Sequence, residues 1–117
     1  GKYLKILEEQ MHSTLLGIKS ADARRLVLAY EPVWAIGKDT NDALSPLSLQ
    51  ETILFIRKVM SELWDRKIAL SVPILYGGSV TPENSKVLKE TGGVAGFLVG
   101  HESLVPERFR EIVKASL

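Results

Sequence analysis

Three short stretches hold residues whose types and placing could do chemistry. Glu31 follows the apolar run Leu26-Val27-Leu28-Ala29-Tyr30, Gly77-Gly78-Ser79 follows a run ending at Tyr76, and Gly100 follows a run ending at Val99. A carboxylate at the end of an apolar strand, ahead of Pro32-Val33-Trp34, is expected to be partly desolvated. Desolvation raises a carboxyl pKa toward the range useful for abstracting a proton. The plainer alternative is a surface glutamate at a strand end, paired with a lysine. Glycines at strand ends let the backbone approach an anion closely, and free N–H groups and helix N-termini supply positive potential there. Taken singly, Gly-Gly-Ser is better read as a turn without a ligand.

The surrounding pattern says what must position these residues. Leu4, Leu7, Met11, Leu15 and Ile18 recur three or four apart, which predicts a helix over the first nineteen residues. A polar break follows, and then a strand from Leu26 to Tyr30, apolar on both faces as a helix-covered parallel sheet requires. Glu31-Pro32 ends it, because proline cannot donate to a ladder. Ser45-Pro46 reads as an N-cap with proline at the first helical position, and Ser48 with Glu51 offers an alternative capping box. The stripe Leu49, Ile53, Ile56, Met60 and Leu63 carries that helix to about Trp64. A strand from Ser71 to Tyr76, a helix capped by Thr81-Pro82 and ending near Gly92-Gly93, a strand from Val94 to Val99 and a helix from Pro106 to Ala115 complete the series.

Strands alternating with helices predict βαβ units and an α/β fold with three parallel strands. In such architectures the C-terminal ends of the strands host the site, which is where Glu31, Gly77-Gly78-Ser79 and Gly100 fall. Three strands cannot close a barrel, which typically takes about 250 residues. Residues 1–117 are therefore expected to form a single incomplete domain, with two strand edges unpaired and one sheet face uncovered.

The chain has 117 residues, 45% hydrophobic and 25% charged, with a formal net charge of +1. That balance offers no excess charge to attract nucleic acid or an anionic membrane. The apolar runs are strand-sized, so no membrane span is expected, and no secretory leader is visible. With no cysteine there is no disulfide, thiolate nucleophile or cysteine metal site. A cytoplasmic location is compatible with this. The chain starts at Gly1, which fits a processed end, a cloning scar or the edge of a larger protein.

The segment Ala29-Tyr30-Glu31-Pro32-Val33-Trp34-Ala35-Ile36-Gly37 resembles the strand-six signature of the triosephosphate isomerase family. The likeness continues through Tyr76-Gly77-Gly78-Ser79-Val80 and Gly96-Phe97-Leu98-Val99-Gly100 to Ser103-Leu104, and it spans essentially the whole chain. It implies strands six to eight of a (β/α)8 barrel. It also implies an isomerase that interconverts glyceraldehyde 3-phosphate and dihydroxyacetone phosphate through an enediolate, with no metal or cofactor. Glu31 would be the general base. Pro32, Val33 and Trp34 would form the hinge of a closing lid, and Tyr76 would latch it. Backbone N–H groups of Gly37, Ser79, Gly100 and His101 would hold the phosphate. Lid closure would exclude water and protect the enediolate.

The same resemblance shows what is absent. The family uses a lysine from its first strand and a histidine from its fourth, and neither strand is in this sequence. His12 is expected to face solvent or pack on its helix, and His101, where the family usually has glycine, to contribute only its backbone. The stretch Lys38 to Ser45 is longer and more acidic than the family's lid, with Asp39 where a glycine is usual. Ala95 stands where an aspartate often pairs with an arginine like Arg57, which implies loss of a structural ion pair. The expected whole is completed by an N-terminal barrel half carrying strands one to five, and is a homodimer. This chain alone is expected to be inactive. The alternatives are a non-catalytic phosphate-binding half-barrel and a purely structural, self-associating fragment.

Overall fold

Helix α1 (Lys2–Leu15) buries Met11 and Leu15 and stops earlier than its apolar spacing predicts. Gly17, at φ 81°, turns the chain out of the helix in a backbone region that other residues rarely adopt. The computed structural model describes residues 2–32 and 44–117. The polar break after α1 contains a further helical turn, α2 (Ser20–Ala23), whose Ala23 is fully buried. Strand β1 (Leu28–Tyr30) is shorter than the five-residue apolar run around it.

Helix α3 (Pro46–Leu63) begins where Ser45-Pro46 predicts. The Ser45 side chain accepts from the Ser48 N–H at 3.1 Å, so the alternative box at Ser48 is not used as a cap. A cap of this kind is worth about 1 kcal/mol. Burial of Leu49, Ile53, Ile56, Val59 and Met60 outweighs it, since each such side chain contributes about 1.5–3 kcal/mol. At the far end of α3 the Trp64 indole donates to the Ile18 carbonyl at 2.8 Å, tying it to the chain just past α1.

The expected strand from Ser71 to Tyr76 is confined to its last three residues, and it is preceded by a helix that ends at Ser71. Helix α4 (Arg66–Ser71) is capped by Asp65, whose carboxylate accepts from the Ile68 N–H at 2.8 Å. Arg57 secures its end by donating to the carbonyls of Ala69 and Val72 at 2.7 and 3.0 Å. Strand β2 (Ile74–Tyr76) follows, then α5 (Ser85–Gly92), β3 (Gly96–Phe97), a 3-10 turn over His101–Leu104 and α6 (Pro106–Ser116).

The three strands are parallel, in the order β1-β2-β3. Leu28 pairs with Ile74 and Tyr30 with Tyr76, and Tyr76 pairs in turn with Phe97. Ile74 and Tyr76 are fully buried in one core with Leu49, Ile53, Ile56 and Met60 of α3. Between them in register runs the row Ala29, Leu75, Gly96, in which none is buried and Ala29 is exposed. Strand side chains alternate faces, so one face of this sheet is packed and the other is open. That agrees with the expectation that a three-strand unit leaves one sheet face uncovered. Among the described residues the sheet has three strands with β1 and β3 at its edges, as an α/β unit short of a closed barrel requires.

Candidate functional site

Glu31, the residue after β1, and Gly77, the residue after β2, meet at the C-terminal edge of the sheet. The Gly77 N–H donates to the Tyr30 carbonyl at 2.8 Å, which extends the ladder one residue past β2. The Glu31 side chain lies across Gly77. A Cβ built there would sit 3.1 Å from both Cδ and Oε1 of Glu31 and would overlap its Cγ. The small residue at 77 thus leaves room for the carboxylate. Glu31 itself is exposed, so the partial desolvation expected for it is not supplied by the described residues. The physical reason is its place beside an open groove of about 580 Å³ between α1 and β1, lined among others by Tyr3, Tyr30 and Pro32.

Tyr76 is fully buried. Its hydroxyl accepts a hydrogen bond from the Leu44 N–H at 3.2 Å, and a Cβ at Gly78 would overlap its ring and hydroxyl. Burial raises the Tyr76 pKa above its usual value of 10.0, an effect the bond from Leu44 partly offsets. Tyr30 beside it is also pushed up, first by burial and then by Tyr3 and Tyr76, while a side-chain hydrogen bond with Thr52 works the other way.

The loop after β2 is held by its own side chains. The Thr81 N–H donates to Asn84 Oδ1 at 2.8 Å, the Asn84 N–H donates to Thr81 Oγ1 at 3.2 Å, and Asn84 Nδ2 donates to the Ser79 carbonyl at 3.0 Å. This is the reciprocal capping pattern with asparagine in place of the usual glutamate. Thr81 therefore caps as expected, although the regular helix starts only at Ser85. Ser79 is buried.

After β3, Gly100 is exposed with open space around its Cα, and His101, also exposed, begins the 3-10 turn. The Gly100 carbonyl accepts from the Ser103 N–H at 3.0 Å and from Ser103 Oγ at 2.5 Å. Glu102 in that turn receives a fork from Arg108, Nε to Oε2 at 2.5 Å and Nη2 to Oε1 at 2.9 Å. Arg108 Nη2 also reaches Glu83 at 3.0 and 3.2 Å. The Arg108 fork holds the Glu102 carboxyl below its usual range.

The structure thus brings Glu31, Pro32, Tyr76, Ser79, Gly100 and His101 to one edge of the sheet. Val33, Trp34 and Gly37 lie outside the described residues, as does most of the lid stretch. His12 is exposed on α1. Arg57 binds two carbonyls and makes no ion pair among the described residues, in keeping with alanine at 95. Arg108 was not singled out by its spacing, because its partners lie 6 and 25 residues away.

A family profile described as "Triosephosphate isomerase" matches residues 1–116. The chain is similar to curated proteins of that name along nearly its whole length. It is 43% identical to the triosephosphate isomerase of Mycoplasmoides gallisepticum, over 94% of this chain and 43% of that protein. It is 42% identical to that of Fusobacterium nucleatum, over 98% and 45%, and 45% identical to that of Carboxydothermus hydrogenoformans, over 96% and 44%. The chain spans less than half the length of these relatives.

Proposed function

Because the chain belongs to the triosephosphate isomerase family, we propose that it supplies the general base and two phosphate-binding loops of an aldose–ketose isomerase. The reaction is the interconversion of glyceraldehyde 3-phosphate and dihydroxyacetone phosphate by proton transfer through an enediolate. The observation that carries this reading is the Glu31 carboxylate lying across Gly77, at the head of the Gly77-Gly78-Ser79 loop. Glu31 moves the proton. Ser79, Gly100 and His101, with Gly37, offer backbone N–H groups to the phosphate. Pro32, Val33 and Trp34 form the lid hinge, and Tyr76 the latch.

A base alone does not enolise a carbonyl efficiently. The developing oxyanion needs donors aimed at it, and the lysine and histidine of the family lie in strands absent from this sequence. The exposure of Glu31 favours the same conclusion, since a reaction through an enediolate needs a site closed to water. The 117-residue chain by itself is therefore inactive and forms a single incomplete domain. Its complement is the N-terminal barrel half carrying strands one to five, and the complete enzyme is a homodimer in the cytoplasm. Among the described residues no helix is long and apolar enough to cross a membrane.

The test is isomerase activity on glyceraldehyde 3-phosphate, measured for the chain alone and after joining to the first five strands of a family member. Activity is expected only in the joined protein. There Glu31→Ala should lower turnover by at least about 10²–10⁴-fold. Full activity in that variant would show that the proton is moved by another group.

A further inference from the structure

The two loops assigned to the phosphate are built separately and then joined. Asn84 closes the loop after β2 onto the Ser79 carbonyl, and Ser103 closes the turn after β3 onto the Gly100 carbonyl. Each loop presents one carboxylate close by, Glu83 from the first and Glu102 from the second. Arg108, in the first turn of α6, binds both. Its Nε and Nη2 grip the two Glu102 oxygens in a fork while Nη2 also reaches both oxygens of Glu83. An isolated exposed ion pair contributes little, but a planar guanidinium forked onto one carboxylate and shared with a second fixes geometry as well as charge. Glu102, with a side chain only 20% exposed, is the better held of the two.

We propose that Arg108 is a positioning residue: it clamps Glu83 to Glu102 and so sets the Ser79 loop against the Gly100–His101 turn for a single phosphate group. This rests on the phosphate reading above. The clamp explains how an anion site tolerates two carboxylates in the loops that form it. One arginine neutralises part of their charge, and the same bonds convert them from repelling groups into struts.

Positioning and simple electrostatics predict opposite signs for one substitution. Glu102→Gln removes a negative charge near the phosphate, so a purely electrostatic role predicts tighter binding. It also breaks the charged fork, so a positioning role predicts weaker binding. The experiment is titration of the 117-residue chain with inorganic phosphate, followed by phosphorus NMR and by the amide shifts of Ser79 and His101. The wild type is expected to bind, and Glu102→Gln and Arg108→Lys each to bind roughly two- to fivefold more weakly, the size expected for an exposed charged pair. Melting temperatures report folding separately. Glu83→Gln, at a more exposed carboxylate, should move affinity in the same direction by less. No phosphate binding by the wild type overturns the phosphate reading and this one with it. Binding by the wild type with equal or tighter binding by Glu102→Gln overturns the clamp alone.

Discussion

The Leu44 amide donates to the buried Tyr76 hydroxyl at 3.2 Å, across 32 residues of sequence. It joins the start of the α3 segment to the C-terminal end of β2, one residue before the glycine pair. The bond fixes where the chain returns to the sheet after the stretch that follows Pro32.

Removing this hydroxyl tests what it holds. Tyr76→Phe keeps the ring in its core position and leaves the Leu44 N–H without its acceptor. A loss of about 1 kcal/mol in a urea unfolding series is expected, the usual net value of one hydrogen bond. Faster hydrogen exchange at the Leu44 amide should accompany it. Unchanged exchange would mean that another group holds that amide.

Gly78→Ala should be more damaging than its size implies. A methyl there overlaps the Tyr76 ring, whose Cε1 would lie 2.7 Å away, and the tyrosine is fully buried with no room to retreat. Overpacking of this kind costs about 1–3 kcal/mol. Gly100→Ala is the control, since a Cβ there meets nothing within 4 Å. It should fall within about 0.5 kcal/mol of the wild type by thermal or urea denaturation.

The caps on either side of β2 make a paired prediction. Asp65→Ala removes the acceptor for the Ile68 N–H, and Thr81→Ala removes the acceptor for the Asn84 N–H. Each should cost about 1 kcal/mol. The two effects should add, because the substitutions share no partner. A double variant no less stable than either single one would show that the two turns melt together.

The pH dependence has a definite sign at each end. Arg108 depresses the folded Glu102 carboxyl below its usual value of 4.5. Its contribution to stability is therefore present above that value and is lost as pH falls through the folded value. Tyr30 and Tyr76 are raised above 10.0 chiefly by burial. Their contribution is fully present below pH 10 and is lost as pH rises through the folded values. Unfolding midpoints measured from pH 3 to 11 should fall at both ends. In Arg108→Met the acid limb should flatten, and in Tyr76→Phe the alkaline limb should.

Local chemistry made much of this legible in advance. The start of α3 at Ser45-Pro46 and the halt at Gly93, which has φ 78°, follow from side-chain capping and from glycine's freedom in the left-handed region. Helix α4 was hidden because its six residues are too few to show a helical period, and its Asp65 cap follows directly on the end of α3. Strand lengths were overestimated for a different reason. A run of apolar residues marks what is to be buried, whereas a ladder needs a neighbour, and β1 and β3 each have one.

The alternation of the longer helices with three strands, the parallel sheet and the position of Glu31 and the glycines after strand ends were determined by the sequence alone, because periodicity, caps and turn residues act over a few neighbours. The exposure of Glu31, the lodging of its side chain over Gly77, the burial of Tyr76 and the clamp of Arg108 on two glutamates were decided only by the tertiary structure. Each depends on residues brought together from distant elements, or on a face against which none of the described residues packs. No spacing within one segment encodes that.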